Sequence, residues 1–271
     1  MPWIEQFREE GYAIVRGLIG PAVRDAVVDE SCALVDILAD RLVSEGKASS
    51  AFEDAPFEKR MMRLYEGRAG ETPTIYRPEL HRPGFFDLFG HAGLLDLAEE
   101  ALGPEVRLYP NYSLRPKLPE NERTLVLWHQ DAGYTADDAD VLRMMNVWTP
   151  LVPATRENGC MEIVPGTHRQ GVVRHEKDEY YLRIADDVIL PLEDRAVAIE
   201  CEPGDVVLFS NLVFHRGLPN VSDHIRWSLD FRYQDATQST MRAQKGHLMR
   251  SRIEPRAAVR DPAHWASLNL S

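Results

Sequence analysis

Apolar positions along this 271-residue chain fall into two regimes, helical at first and strand-like later. After Gly20-Pro21, a start signal with proline in the first turn, Val27, Ser31, Leu34, Leu38 and Leu42 recur every three or four residues. That spacing predicts a long helix, closed at Gly46. Leu94, Leu95, Ala98 and Leu102 predict a second, shorter helix from about His91, stopped by Gly103-Pro104. Residues 47–90, between them, hold a basic cluster (Lys59, Arg60, Arg63, Arg68) and the stretch PTIYRPELHRPG. This segment reads as a long loop of the kind that often serves as a lid.

From about residue 105 the period shortens. RLYPNYSLR, TLVLW, RMMNVW, CMEIV, AVAIEC, DVVLFS and IRWSLDFRY follow one another as β-prone runs, separated by turns such as Pro165-Gly166, Pro203-Gly204 and Pro219-Asn220. Many short strands with Pro/Gly turns predict a sandwich or barrel. No linker sets the helical part apart, so residues 1–271 are expected to form one domain. Its parts are a mostly helical stretch (1–104), a β core (105–240) and a C-terminal segment (241–271).

One run alternates strictly. Arg226, Ser228, Asp230 and Arg232 share one face of an extended segment, and Trp227, Leu229, Phe231 and Tyr233 share the other. Either this is a surface strand with a solvated polar face, or its polar face lines a cavity while its aromatic face meets the helices.

Composition narrows the classes. The net charge of −12 argues against a nucleic-acid partner, for which phosphate neutralisation supplies much of the affinity. No apolar run approaches the roughly 18 residues that span a bilayer. The opening MPWIEQFREEGY lacks the basic end and apolar stretch of a secretory leader, so a cytoplasmic protein is expected. Cys32, Cys160 and Cys201 are odd in number and form no CxxC pair, which fits small buried hydrophobes rather than disulfides or a zinc site.

Candidate chemistry begins at His129-Gln130-Asp131. Two residues apart on an extended segment, His129 and Asp131 point to the same side and can reach one ion. Alone, the pair fits a hydrogen-bonded couple at a strand end equally well. His215, just past another predicted strand, supplies a third ligand. Two imidazoles and one carboxylate form the facial triad of non-haem Fe(II) oxygenases, although zinc hydrolases share such sets. Arg226, eleven residues after His215, favours the first reading. A dicarboxylate co-substrate that chelates iron at one end needs a fixed cation for the other. Arginine offers a bidentate fork, and Ser228 can add a hydroxyl.

His129-x-Asp131, His215 and Arg226-x-Ser228 together resemble the phytanoyl-CoA dioxygenase (PhyH-like) family of Fe(II)/2-oxoglutarate oxygenases. FREEGYAIVRGLIGPAV resembles the family's N-terminal signature, WTPLVPATRENGCMEIVPGTHRQG its central segment, and EPGDVVLFSNLVFHRGLPN its late strand-and-ligand segment. The resemblance implies a double-stranded β-helix (jelly-roll or cupin barrel) with N-terminal helices packed on one sheet. It implies His129, Asp131 and His215 as catalytic iron ligands, with Arg226 and Ser228 holding the distal carboxylate of 2-oxoglutarate. By the same analogy Asn111 and Trp148 line the co-substrate pocket. Related halogenases carry Gly or Ala where this chain has Asp131, so hydroxylation, or desaturation by the same hydrogen abstraction, is favoured.

The expected function is therefore an Fe(II)-, 2-oxoglutarate- and O2-dependent dioxygenase. It would hydroxylate or desaturate a small metabolite or natural-product intermediate, releasing succinate and CO2. A cupin-type metalloenzyme that does not use 2-oxoglutarate, or a non-catalytic metal- or ligand-binding barrel, stands as the alternative. Tyr134, Tyr76 and His81 are candidates for substrate contact. Arg232 is expected to pair with Asp230, His168 to be structural, and Gln130 to point away from the ligands. An acyl-CoA substrate would need cations for its phosphates, from the 59–68 cluster or from Arg242, Lys245, Arg250, Arg252 and Arg256. Solvated basic surface explains both clusters more simply. Oligomeric state is not legible.

Overall fold

The computed structural model describes residues 1–135, 139–178 and 182–268, save for the side chains at 69 and 76. The described helices are α1 (Trp3–Glu10), α2 (Pro21–Ser44), α3 (Phe57–Leu64), α4 (Pro83–Phe89), α5 (Ala92–Leu102), α6 (Asp186–Ile189) and α7 (Pro262–Ser267). The strands are β1 (Tyr12–Val15), β2 (Ile75–Tyr76), β3 (Val106–Leu108), β4 (Ser113–Lys117), β5 (Val126–His129), β6 (Met144–Pro150) and β7 (Met161–Val164). They continue as β8 (His175–Lys177), β9 (Leu182–Ile184), β10 (Val197–Ile199), β11 (Val206–Ser210), β12 (Phe214–Gly217), β13 (Arg226–Asp235) and β14 (His247–Arg250).

Two antiparallel sheets make the jelly roll. The larger runs β1-β11-β6-β13-β3-β14, with β4 also on β13 and β2 on β4; the smaller runs β10-β7-β12-β5. Between them Trp148, Val207 and Phe209 of the larger sheet meet Met161, Ile163 and Ile199 of the smaller in one apolar cluster. The helices cover the outer face of the larger sheet.

The alternating strand explains that arrangement. Every residue of β13 is buried, so neither face is solvated. Trp227, Leu229, Phe231 and Tyr233 join the helix-side core with Leu34 of α2, Phe85 of α4 and Leu95 of α5. Trp227 stacks on Phe57 of α3 with ring centroids 4.7 Å apart, and the Tyr233 hydroxyl donates to the Phe89 carbonyl at 2.6 Å. The opposite face turns Arg226, Asp230 and Arg232 into a cavity.

The helix α2 buries Val27, Ser31, Leu34, Val35, Ala39 and Leu42, much as its spacing predicts. Ser31 is tolerated there because its hydroxyl donates to the Val27 carbonyl at 2.7 Å.

Three expectations need correction. Residues 47–90 are not a long loop, because α3, α4, β2 and two 3-10 turns lie within them. Met61, Leu64, Leu80, Phe85, Leu88 and Phe89 from this stretch are almost fully buried, so it is part of the core rather than a lid. RLYPNYSLR is two strands, since the chain leaves β3 before Pro110 and re-enters the sheet at Ser113. Among the described residues β1, β2, β12 and β14 complete the two sheets beyond the strands that the sequence pattern predicts. Cys160 and Cys201 are buried and Cys32 half-buried, all as free thiols. No described helix is long and apolar enough to cross a membrane.

Candidate metal centre

The two histidines face each other across a ladder. In the β12–β5 pairing His215 is the direct partner of His129, and their ring centroids lie 4.0 Å apart. Each Nδ1 sits close to the backbone carbonyl two residues earlier: His129 on Leu127 at 2.8 Å, His215 on Val213 at 3.0 Å. A carbonyl only accepts, so each Nδ1 carries the proton and each Nε2 lone pair is free for a metal. Burial pushes the His215 imidazole down to about 3, with His129 beside it adding to the effect, so His215 is neutral at physiological pH.

Asp131 opens the 3-10 turn after β5 and brings Oδ1 to 3.7 Å from His129 Nε2. One ligand atom from each of His129, Asp131 and His215 lies within 4.8 Å of the others. The second oxygen, Oδ2, accepts from Arg232 Nη2 and from Asn146 Nδ2, each at 2.8 Å. Burial alone would raise the carboxyl pKa; the Arg232 guanidinium overturns that and holds it well below the usual carboxylate range. One oxygen is thus anchored by the larger sheet while the other faces the histidines.

Arg226 lies on the same cavity wall and is 6% exposed. Its Nη1 donates to Ser228 Oγ at 2.5 Å and its Nη2 to the Gly159 carbonyl at 3.2 Å, while its guanidinium carbon sits 5.3 Å from the Trp148 ring centroid. Nε is buried with no hydrogen-bond partner, and no carboxylate pairs with the group among the described residues. Burial pulls this guanidinium down to about 10, which leaves it cationic at neutral pH. A buried cation without a counter-ion is costly unless an anionic ligand completes it.

The cavity holds about 470 Å3 and is lined by His129, Asp131 and His215 together with Asn111, Trp148 and Arg226. Ser228 does not reach the wall; it stands behind Arg226 and accepts from it. Tyr134 does line the cavity, its ring edge-on to His129 at 5.8 Å. His81 does not, because it stacks on Trp265 at 4.0 Å and bonds the Tyr112 hydroxyl at 2.8 Å. The Tyr76 side chain lies outside those described. Gln130 turns away as expected and clips the Gly171 and Leu212 carbonyls and the Val173 amide. His168 packs beneath Gly11 and bonds the Arg8 carbonyl, a structural place.

Sequence reasoning missed the charge network behind Asp131. Arg232 bridges Asp131 and Asp230, and Asp230 also pairs with Arg115 and accepts from Ser113 Oγ. The Arg232–Asp230 pair was legible from their shared face. The link to Asp131 was not, because it depends on β13 lying beside β6, where Arg232 is the partner of Asn146.

A family model described as phytanoyl-CoA dioxygenase (PhyH) matches residues 7–228, a span that includes His129, Asp131, His215, Arg226 and Ser228. The chain belongs to the PhyH family. A 1-deoxypentalenic acid 11-beta-hydroxylase from Streptomyces arenae is 32% identical to this PhyH chain over 164 residues, 56% of the chain and 57% of the relative. The chain thus spans little more than half the length of that curated relative. The solved non-heme monooxygenase ThoJ superposes with a TM-score of 0.64 at 21% identity, covering 92% of this chain and 84% of ThoJ. EctD from S. alaskensis, solved with 2-oxoglutarate and 5-hydroxyectoine, does so at 0.60 and 20% identity, covering 97% and 85%. At these identities the solved structures speak for the PhyH chain's fold.

Proposed function

We propose that this PhyH chain is an Fe(II)- and 2-oxoglutarate-dependent dioxygenase that hydroxylates a small organic metabolite. The observation that carries the reading is Arg226, a buried guanidinium without a counter-ion among the described residues, in the same cavity as a two-histidine, one-carboxylate cluster. Two imidazoles and one carboxylate suit Fe(II) and leave coordination positions open. His129, Asp131 and His215 would hold the ion, and Arg226 the distal carboxylate of 2-oxoglutarate. Bound together, iron and 2-oxoglutarate would supply dioxygen activation coupled to oxidative decarboxylation, leaving succinate, CO2 and one oxygen atom in the substrate.

The chain's own residues do the remaining work. Arg232 and Asn146 orient Asp131, Ser228 and the Gly159 carbonyl orient Arg226, and Trp148 forms the wall beside it. The hydroxylase from Streptomyces arenae, and the 5-hydroxyectoine with which EctD was solved, favour a substrate of similar size.

Anaerobic titration with Fe(II) and then 2-oxoglutarate tests this. Wild type is expected to develop the weak visible charge-transfer band of the chelate, and Arg226→Ala to need far more 2-oxoglutarate. A wild type without the band, or an undiminished affinity in Arg226→Ala, overturns the assignment.

A further inference from the structure

The cavity wall carries more cations than iron and 2-oxoglutarate account for. Arg115 pairs with Asp230, Arg232 with Asp131 and Asp230, and Arg216 with Glu162 and Glu193. Arg226 and Arg242 are the two wall arginines with no carboxylate partner among the described residues. The distal carboxylate of the co-substrate would meet Arg226, which leaves Arg242 without a carboxylate among the described residues.

Arg242 is held in place rather than waving in solvent. Thr240 braces its turn: the Thr240 Oγ1 accepts from the Arg242 amide at 3.3 Å and donates to the Gln244 carbonyl at 2.9 Å. The guanidinium carbon sits 5.5 Å from the Tyr109 ring centroid, and Tyr109 is itself tied by its hydroxyl to the Thr240 carbonyl at 2.8 Å. Nη2 donates to the Tyr134 carbonyl at 3.4 Å, while Nε is buried and has no partner among the described residues. Since the Tyr134 ring stands edge-on to His129, one aromatic residue separates this cation from a metal ligand.

Resting on the dioxygenase reading above, we propose that Arg242 is the substrate anchor and that the substrate is a carboxylic acid with an apolar body. The terminal N–H groups of a guanidinium that meets no carboxylate among the described residues offer a fork that matches a carboxylate. Val126, Met161 and Phe209 supply apolar wall for the rest of the molecule. A coenzyme A conjugate fits less well, because its phosphates need several free cations. Lys59, Arg60 and Arg68 are paired with Asp223, Asp36 and Glu71, Arg250 and Arg252 with Asp96 and Glu99, and Arg63 lies over the Phe52 ring; none of these, nor Arg256, lines the cavity. Lys245 lines a separate hollow beside Glu105.

The test uses decanoate, 4-cyclohexylbutyrate and adamantane-1-carboxylate, each beside its methyl ester, and decanoyl-CoA. Binding is read by perturbation of the anaerobic Fe(II)–2-oxoglutarate band and by succinate release above the substrate-free rate. At least one acid is expected to bind wild type about tenfold or more tightly than its ester, the scale of one charge-assisted contact. Arg242→Gln is expected to abolish that preference and Arg242→Lys to restore part of it. The 2-oxoglutarate band itself is the separate control: its absence from wild type counts against the dioxygenase reading, whereas acid-over-ester preference reports on Arg242. The proposal is overturned if no acid outbinds its ester, if the preference survives in Arg242→Gln, or if decanoyl-CoA outbinds decanoate.

Discussion

Replacing Arg232 with methionine removes the one group that joins Asp131 to the larger sheet by charge. Arg232 is 5% exposed, and its two ion pairs are 2.8 Å to Asp131 and 2.7 Å to Asp230. Breaking a buried pair by deleting one partner costs about 3–5 kcal/mol. The two carboxylates share that loss unequally: Asp230 keeps Arg115 and Ser113, whereas Asp131 Oδ2 keeps only Asn146 among the described residues. With one carboxylate still compensated, the lower end, about 3 kcal/mol, is expected from urea unfolding of the metal-free protein. That is a large part of a typical total of about 5–15 kcal/mol. Iron affinity, read by anaerobic calorimetry, should fall about 10–100-fold, as it does when a ligand's supporting partner is lost. Arg232→Met with normal iron affinity, whether or not stability drops, refutes the idea that Arg232 positions Asp131.

Other substitutions probe the rest of the site. Arg226→Ala should weaken 2-oxoglutarate binding about 10–100-fold, the scale of charged hydrogen bonds, measured by titration of the chelate band. Gly159→Ala should destabilise the protein by about 1–3 kcal/mol in urea unfolding, because Gly159 has φ +83° and an added Cβ would lie 2.5 Å from the Leu218 carbonyl oxygen. Its carbonyl steadies Arg226, so 2-oxoglutarate affinity should fall with it. His247 gives a pH signature. Burial, with His81 alongside, pushes its imidazole from 6.5 down to about 4. Below 6.5 the unfolded chain takes up a proton that the folded chain refuses, so stability is lost as pH falls from about 6.5 towards about 4. The urea midpoint of His247→Gln should therefore fall less over that window than that of wild type; equal slopes would contradict the assignment.

Legibility followed the range of the interactions involved. Strict alternation in β13 marks a strand with two unlike faces, because period two is a local property, whereas the burial of both faces follows from its place inside the sheet. Residues 47–90 read as a loop because Pro83 looks like a breaker, yet it stands in the first turn of α4, where its missing N–H costs nothing. The spacing of Phe85, Leu88 and Phe89 is the signal that marks the helix. Pro110 divides RLYPNYSLR for the opposite reason, since it cannot donate to a ladder. His129, Asp131, His215 and Arg226 can be named from motif spacing. Asn146 shares a face with Trp148 by the alternation of RMMNVW, but Arg115 and Arg242 reach the cavity region only through strand register and loop placement, which no local pattern encodes.

The opposed pair His129 and His215 has a mechanical consequence. β5 is the outermost strand of the smaller sheet, and its ladder to β12 is interrupted between His215 and Gly217. An outermost strand with so short a ladder is the natural place for the barrel to fray. A cation shared by His129, His215 and Asp131 would clasp that strand to its neighbour and, through Arg232 and Asn146, to the opposite sheet. Loading the metal should then slow amide exchange most in β5 and in the turn after it, so that the ion closes the seam of the barrel as well as serving its chemistry.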